Sequence, residues 1–93
     1  MKIVVVSSLM PGATAFYLIH ELRALGHELA VLSDIDHECV SEVRFGVVDL
    51  PAWVSRSGFR PDAILFIEGG TRRLFPEGME NLSCVSAWYA IDT

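Results

Sequence analysis

The amino-acid sequence predicts an α/β domain with a doubly wound parallel sheet. Short, strongly apolar runs of the kind found in buried strands recur along the chain, and a helical pattern separates the first two of them. Strand, helix and strand together fit into about 30 residues, the size of a right-handed βαβ unit. With 93 residues, the chain has room for one domain.

The first βαβ unit is predicted within residues 2–33. Residues 3–6 are apolar and mostly β-branched, which is typical of a strand buried on both faces. Gly26 suits the left-handed residue that ends a helix, and residues 28–33 predict the second strand. The helix between them is indicated by apolar residues at helical spacing: Ala15, Leu18, Ile19, Leu22 and Leu25.

The middle of the chain predicts an edge strand followed by a second helix. Residues 43–48 favour the short strand. The helix is expected over residues 50–57, with Asp49 as its N-cap, Pro51 in its first turn and Gly58 just after its end.

Two more strands complete the predicted sheet, at residues 63–67 and 85–91, and a short helix at residues 76–82, opened by Pro76, is expected between them. We expect the first strand at the centre, with strands two and 63–67 on its two sides and the last strand beyond 63–67. No helix follows the last strand to cover it, although parallel sheets are normally covered on both faces. Residues 1–93 are therefore expected to be an incomplete domain from the front of a longer protein, with apolar surface exposed near Trp88 and Ile91.

Composition restricts the partners. The formal net charge is −5, which argues against nucleic acid or an anionic membrane as the main partner. No apolar run approaches the about 18–20 residues of a membrane span. The two cysteines, Cys39 and Cys84, form no CxxC pair, so a reduced, cytoplasmic chain is expected. A signal peptide is disfavoured because Ser7-Ser8 interrupts the short apolar stretch that would form its core.

Ligands of open α/β sheets bind beyond the carboxyl ends of the strands. At this edge the sequence offers Glu68 and Asp92, whose carboxylates could orient or deprotonate a hydroxyl group and are the predicted catalytic residues. Glycines admit a ligand close to the backbone, and arginines bind phosphate. The predicted ligand-binding residues are Ser7, Gly12, Gly69, Gly70, Thr71, Arg72 and Thr93.

Two other kinds of site are disfavoured. Dinucleotide binding requires a G-x-G-x-x-G loop, and here Gly12 is the only glycine of such a loop. Asp34 does follow Gly12 at the sequence distance of a ribose-binding acid. Asp34, Asp36 and His37 could in principle hold a divalent ion, but polar residues gather after strands in any case. We predict a solvated loop there and no metal.

Three stretches carry a family resemblance. "ATAFYLIHELRALGHELAVLS" resembles the opening βαβ unit of GT-B glycosyltransferases, and "RPDAILFIEGG" resembles a later strand of that fold. "LFIEGGTRRLFPEGMENLSCVSAWYAIDT" is similar to the amino-terminal region of the CgeB-like, spore-maturation glycosyltransferases. The resemblance covers residues 61–93 well and the rest loosely.

The resemblance implies a Rossmann-like, acceptor-side domain of an enzyme that transfers a sugar from a nucleotide-sugar donor. The donor would bind mainly to a carboxyl-terminal domain of the same chain, and the acceptor would be a small molecule, a glycan or a protein. Neither a cofactor nor a metal in this chain is implied. The alternative is a non-catalytic Rossmann or flavodoxin-like binding module, or a receiver domain. A receiver has acidic residues where this chain has Ser7-Ser8, and it has a later lysine that this chain lacks. An oxidoreductase half-domain is disfavoured by the missing glycines.

Overall fold

The computed structural model of the protein describes residues 1–8, 15–68 and 74–90. Among them are seven strands, two α-helices and one 3₁₀ turn at Met79–Asn81, which lies between the last two strands. The elements are β1 (Lys2–Ser7), α1 (Ala15–Ala24), β2 (Glu28–Ser33), β3 (Glu42–Val43), β4 (Gly46–Asp49), α2 (Leu50–Ser57), β5 (Ala63–Glu68), β6 (Leu74–Glu77) and β7 (Val85–Ala90).

Five of the strands form one parallel sheet in the order β3-β2-β1-β5-β7. The central strand β1 pairs with β2 on one side and β5 on the other, so that Val4 lies level with Ala30 and Ile64. The predicted topology, with β1 central and the last strand beyond β5, is confirmed. Since all five strands run the same way, their carboxyl ends lie at one edge of the sheet.

The apolar side chains of β1 alternate between two cores, one on each face of the sheet. Val4 and Val6 pack on the face covered by α2, while Ile3 and Val5 pack on the face covered by α1. This burial on both sides explains why the strand is an unbroken apolar run. The α2 face is completed by Ala30, Leu32, Val48, Leu50, Trp53, Ile64, Phe66 and Leu74. The α1 face is completed by Ala15, Ile19, Val31 and Ile67.

The second helix has the boundaries and caps that the sequence predicts. The Asp49 carboxylate accepts a hydrogen bond from the backbone N–H of Ala52 at 3.2 Å, and Pro51 lies in the first turn, where no N–H is needed. Gly58 follows the helix with a φ of 74°, a left-handed conformation that favours glycine. Leu50 and Trp53 carry the packing of this helix against the sheet.

Removing the cap of α2 tests this account of the helix. We expect Asp49→Ala to lower the free energy of unfolding by about 1 kcal/mol, because the amide of Ala52 loses its acceptor. Asp36→Ala is the matched control, since Asp36 is exposed and stands in the loop after β2. It should change the free energy by less than about 0.5 kcal/mol. Urea unfolding followed by circular dichroism measures both, and equal losses in the two variants would contradict the capping role.

The predicted helix at residues 76–82 is wrong. Leu74–Glu77 form β6, which pairs in parallel with β4 in a separate two-stranded sheet, and only the short 3₁₀ turn follows. Burial alternates along this segment as in a strand, since Leu74 and Pro76 are buried while Phe75 and Glu77 are exposed. Proline is tolerated because β6 has a strand on one side only in the described part of the chain.

Two smaller expectations also fail. The strand predicted at 43–48 is split into β3, which joins the main sheet, and β4, which leaves it and begins at Gly46 with a φ of 73°. Leu25 does not extend the buried stripe of α1, since the helix ends at Ala24 and the side chain of Leu25 is 73% exposed. The first four stripe residues pack on the sheet as predicted.

A candidate ligand site at the carboxyl edge of the sheet

The carboxyl ends of β2, β1 and β5 bring three polar positions level with one another. Ser7 pairs with Ile67 and Val6 pairs with Leu32. Continuing these offsets places Ser8 level with Asp34 on one side and with Glu68 on the other. Neighbouring strands lie about 4.8 Å apart. We call Asp34, Ser8 and Glu68 the carboxyl-edge row.

All four buried polar residues in the described part of the chain lie at this edge: Ser7, Ser8, Ser33 and Asp34. Two of them are held by backbone bonds. The Ser7 hydroxyl donates to the carbonyl oxygen of Ile67 at 3.1 Å and ties β1 to β5. The Ser33 hydroxyl accepts from the N–H of Ile35 at 3.2 Å and shapes the turn after β2.

Ser8 and Asp34 differ from these two serines. Asp34 is 6% exposed and Ser8 is 8% exposed, yet within the described structure neither carboxylate oxygen of Asp34 and not the hydroxyl of Ser8 has a hydrogen-bond partner. An unmade hydrogen bond on a buried polar group costs about 1–3 kcal/mol, and more when the group is charged. Two such groups level with each other at the ligand edge of the sheet point to a ligand that completes their bonds.

The chemistry of this pair limits what the ligand can be. An ionised carboxylate only accepts hydrogen bonds, so the partner of Asp34 must supply donors, while the Ser8 hydroxyl both donates and accepts. A cation would need further ligands, and no group of three or more His, Cys, Asp or Glu side chains among the described residues is placed to hold one. Adjacent hydroxyl groups, as in a sugar ring or a ribose, meet these requirements.

The metal site considered for residues 34–37 is not assembled. Asp36 is exposed. His37 turns to Cys39, with its Nδ1 atom 3.2 Å from the Cys39 sulfur, and its ring stacks edge-on against Phe16. Asp34 remains buried beside the sheet, so the three side chains do not converge.

The predicted site residues are only partly within the described structure. Ser7 lies at the predicted edge, with its hydroxyl engaged by β5, and Glu68 is the last residue of β5, level with Ala90 of β7. The other predicted positions fall outside the described residues: Gly12, Gly69, Gly70, Thr71, Arg72, Asp92 and Thr93. Their convergence on one rim stays a prediction.

Sequence reasoning missed Ser8, and it considered Asp34 only for the dinucleotide and metal sites, both of which it disfavoured. The signal that could have found both is the strand register. Val6 pairs with Leu32, and Ser8 and Asp34 each come two residues later along the chain, so they reach the edge at the same level. Their burial depends on contacts across the fold, which no local pattern reveals.

Comparison with family models, with curated proteins and with solved structures gives no match. In the described residues, no helix is both long enough and apolar enough to cross a membrane.

Proposed function

We propose that this domain binds a hydroxyl-rich ligand at the carboxyl-edge row and is the acceptor-side domain of a glycosyltransferase. The enzyme would transfer a sugar from a nucleotide-sugar donor, held mainly by a further domain, to an acceptor held here. The observation that carries the proposal is the buried carboxylate of Asp34 beside the buried hydroxyl of Ser8, both without partners in the described structure.

The sheet order supports this location. From β1 the chain builds outward through β2 to β3, then crosses back to add β5 and β7 on the other side. This is the order of the first five strands in a doubly wound, Rossmann-like sheet, in which ligands bind where the order reverses. The reversal lies between β1 and β5, where Ser7 joins Ile67 and where Ser8 and Glu68 reach the edge.

The chemistry of sugar transfer gives the row a division of roles. The acceptor hydroxyl must be oriented and must lose its proton as the new glycosidic bond forms. Asp34 and Ser8 would bind hydroxyl groups of the acceptor and orient it. Glu68 and Asp92 remain the proposed catalytic carboxylates, one of which would accept the proton.

A second candidate function is a non-catalytic module that binds the ribose of a nucleotide. The position of Asp34 directly after β2 favours it, because an acid at that place binds ribose hydroxyls in dinucleotide-binding sheets. This module would bind nucleosides and would turn over no nucleotide sugar.

The two candidates are distinguished by measuring turnover of nucleotide sugars. The protein assayed is one in which residues 1–93 precede a donor-binding domain. The readout is release of nucleoside diphosphate from UDP-glucose, UDP-N-acetylglucosamine or GDP-mannose. We expect Glu68→Gln to lower the rate about 100-fold or more, since a positioned general base contributes about 10²–10⁴ in rate. Glu21→Gln, an exposed position on α1, is the matched control.

Circular dichroism checks that both variants fold. If Glu68→Gln keeps its rate within about a factor of two of the wild type, Glu68 is not the base. Saturable binding of nucleosides without turnover of any donor would support the second candidate instead.

A further inference from the structure

Cys39 and His37 form a contact pair in the turn after β2. The Nδ1 atom of His37 lies 3.2 Å from the Cys39 sulfur, and it also accepts a hydrogen bond from the backbone N–H of Cys39 at 3.2 Å. Because this N–H can only donate, Nδ1 presents its lone pair towards Cys39. The thiol shares this single lone pair with the N–H, so a proton passed from the thiol to Nδ1 displaces the hydrogen bond from the N–H.

The pair opens into a cavity of about 520 Å³ between α1 and this turn. The Phe16 ring packs edge-on against His37, with ring centroids 4.9 Å apart, and fixes the imidazole. The Arg23 guanidinium donates to the carbonyl oxygen of Cys39 at 3.2 Å and lines the same cavity. The other residues lining the cavity are Ile19, His20 and Glu38.

We propose that Cys39 is a modification site that undergoes thiol–disulfide exchange with small disulfides carrying carboxylate groups. His37 takes the proton of the thiol, and the Cys39 sulfur attacks one sulfur of the incoming disulfide. A mixed disulfide forms on Cys39 and the original S–S bond breaks. The released thiolate takes up the proton, so that Cys39 is oxidised and one half of the small disulfide leaves reduced. Arg23 binds the carboxylate of the disulfide.

The chain carries its own reference thiol in Cys84, which like Cys39 is partly buried. Burial raises the pKa of the Cys84 thiol, and the negative charge of Asp62 raises it further. The described residues lining the cavity beside Cys84 include no histidine. In the described structure this cavity therefore places no histidine beside Cys84 as His37 lies beside Cys39, and the two rates can be compared in one molecule without any substitution.

The experiment treats the reduced chain with oxidised glutathione and, separately, with the neutral 2-hydroxyethyl disulfide. Peptide mass mapping over time gives the rate at each cysteine. We expect Cys39 to react about tenfold or more faster than Cys84 with both reagents. His37→Asn should slow Cys39 with both reagents, whereas Arg23→Gln should slow it with glutathione only.

Thermal unfolding of each variant checks its fold. Equal rates at Cys39 and Cys84 in the wild-type chain would overturn the proposal, whatever the variants do. An Arg23→Gln variant that slows both reagents equally would overturn the assignment of Arg23 to the carboxylate.

Discussion

Replacing Asp34 with asparagine should make the domain more stable and remove its affinity for hydroxyl-rich ligands. The carboxylate is buried with neither oxygen hydrogen-bonded in the described structure, and a buried charge without a partner is more unfavourable than a neutral amide of the same shape. We expect the free energy of unfolding to rise by about 1–2 kcal/mol. Urea unfolding measures this.

The same substitution should weaken binding at least about tenfold, because hydrogen bonds to a charged group contribute about 1.5–3 kcal/mol each. Asp36→Asn is the matched control, an exposed acid two positions along the chain that should leave both stability and binding unchanged. A clear loss of stability in Asp34→Asn would contradict the account, since it would mean that the carboxylate supports the fold.

The second large effect concerns β7, the last strand of the main sheet in the described structure. Val85 is 72% exposed, and Trp88, near which the sequence predicts exposed apolar surface, is 57% exposed. Trp88 contacts Phe66 and Phe75 with ring centroids 5.3 and 5.7 Å away, so a partly exposed aromatic cluster continues the apolar strand. Exposed apolar edge strands pair with other chains.

We expect the wild-type chain to bind a hydrophobic dye and to self-associate at micromolar concentration. Val85→Lys should suppress both, because a lysine on an edge strand opposes pairing. Leu25→Lys is the control, since Leu25 is as exposed at 73% but lies in the turn after α1. Sedimentation velocity and dye fluorescence are the measurements. A wild-type chain that stays monomeric and does not increase the fluorescence of the dye would contradict the expectation.

Local signals predicted much of the fold. The strands β1 and β2 were found because a strand buried on both faces needs an uninterrupted apolar run, and α2 was found because Asp49 and Gly58 mark its ends. The error at Pro76 arose because proline at a helix start and proline on an edge strand look alike in sequence, and only pairing with β4 distinguishes them.

The site was less predictable. Topology predicted a site at the carboxyl edge of the sheet, and Ser7 and Glu68 lie at that edge. That a ligand binds there stays a prediction. The residues that structure singles out are Ser8 and Asp34, because their significance is burial without a partner. That property depends on how β1, β2 and the covering elements pack, which the order of residues alone does not show.

The central claim is that the carboxyl-edge row binds a hydroxyl-rich ligand. It is tested most directly by titrating the ¹⁵N-labelled chain with methyl glucoside, methyl mannoside, uridine and UDP-glucose while recording amide chemical shifts. The account predicts that the amides of Ser8, Asp34 and Glu68 shift together and saturate with at least one of these probes, and that Asp34→Asn abolishes the response. Amides at the opposite edge, such as those of His27 and Cys84, should not move. No saturable shift with any probe, or shifts confined to the opposite edge, would contradict the claim.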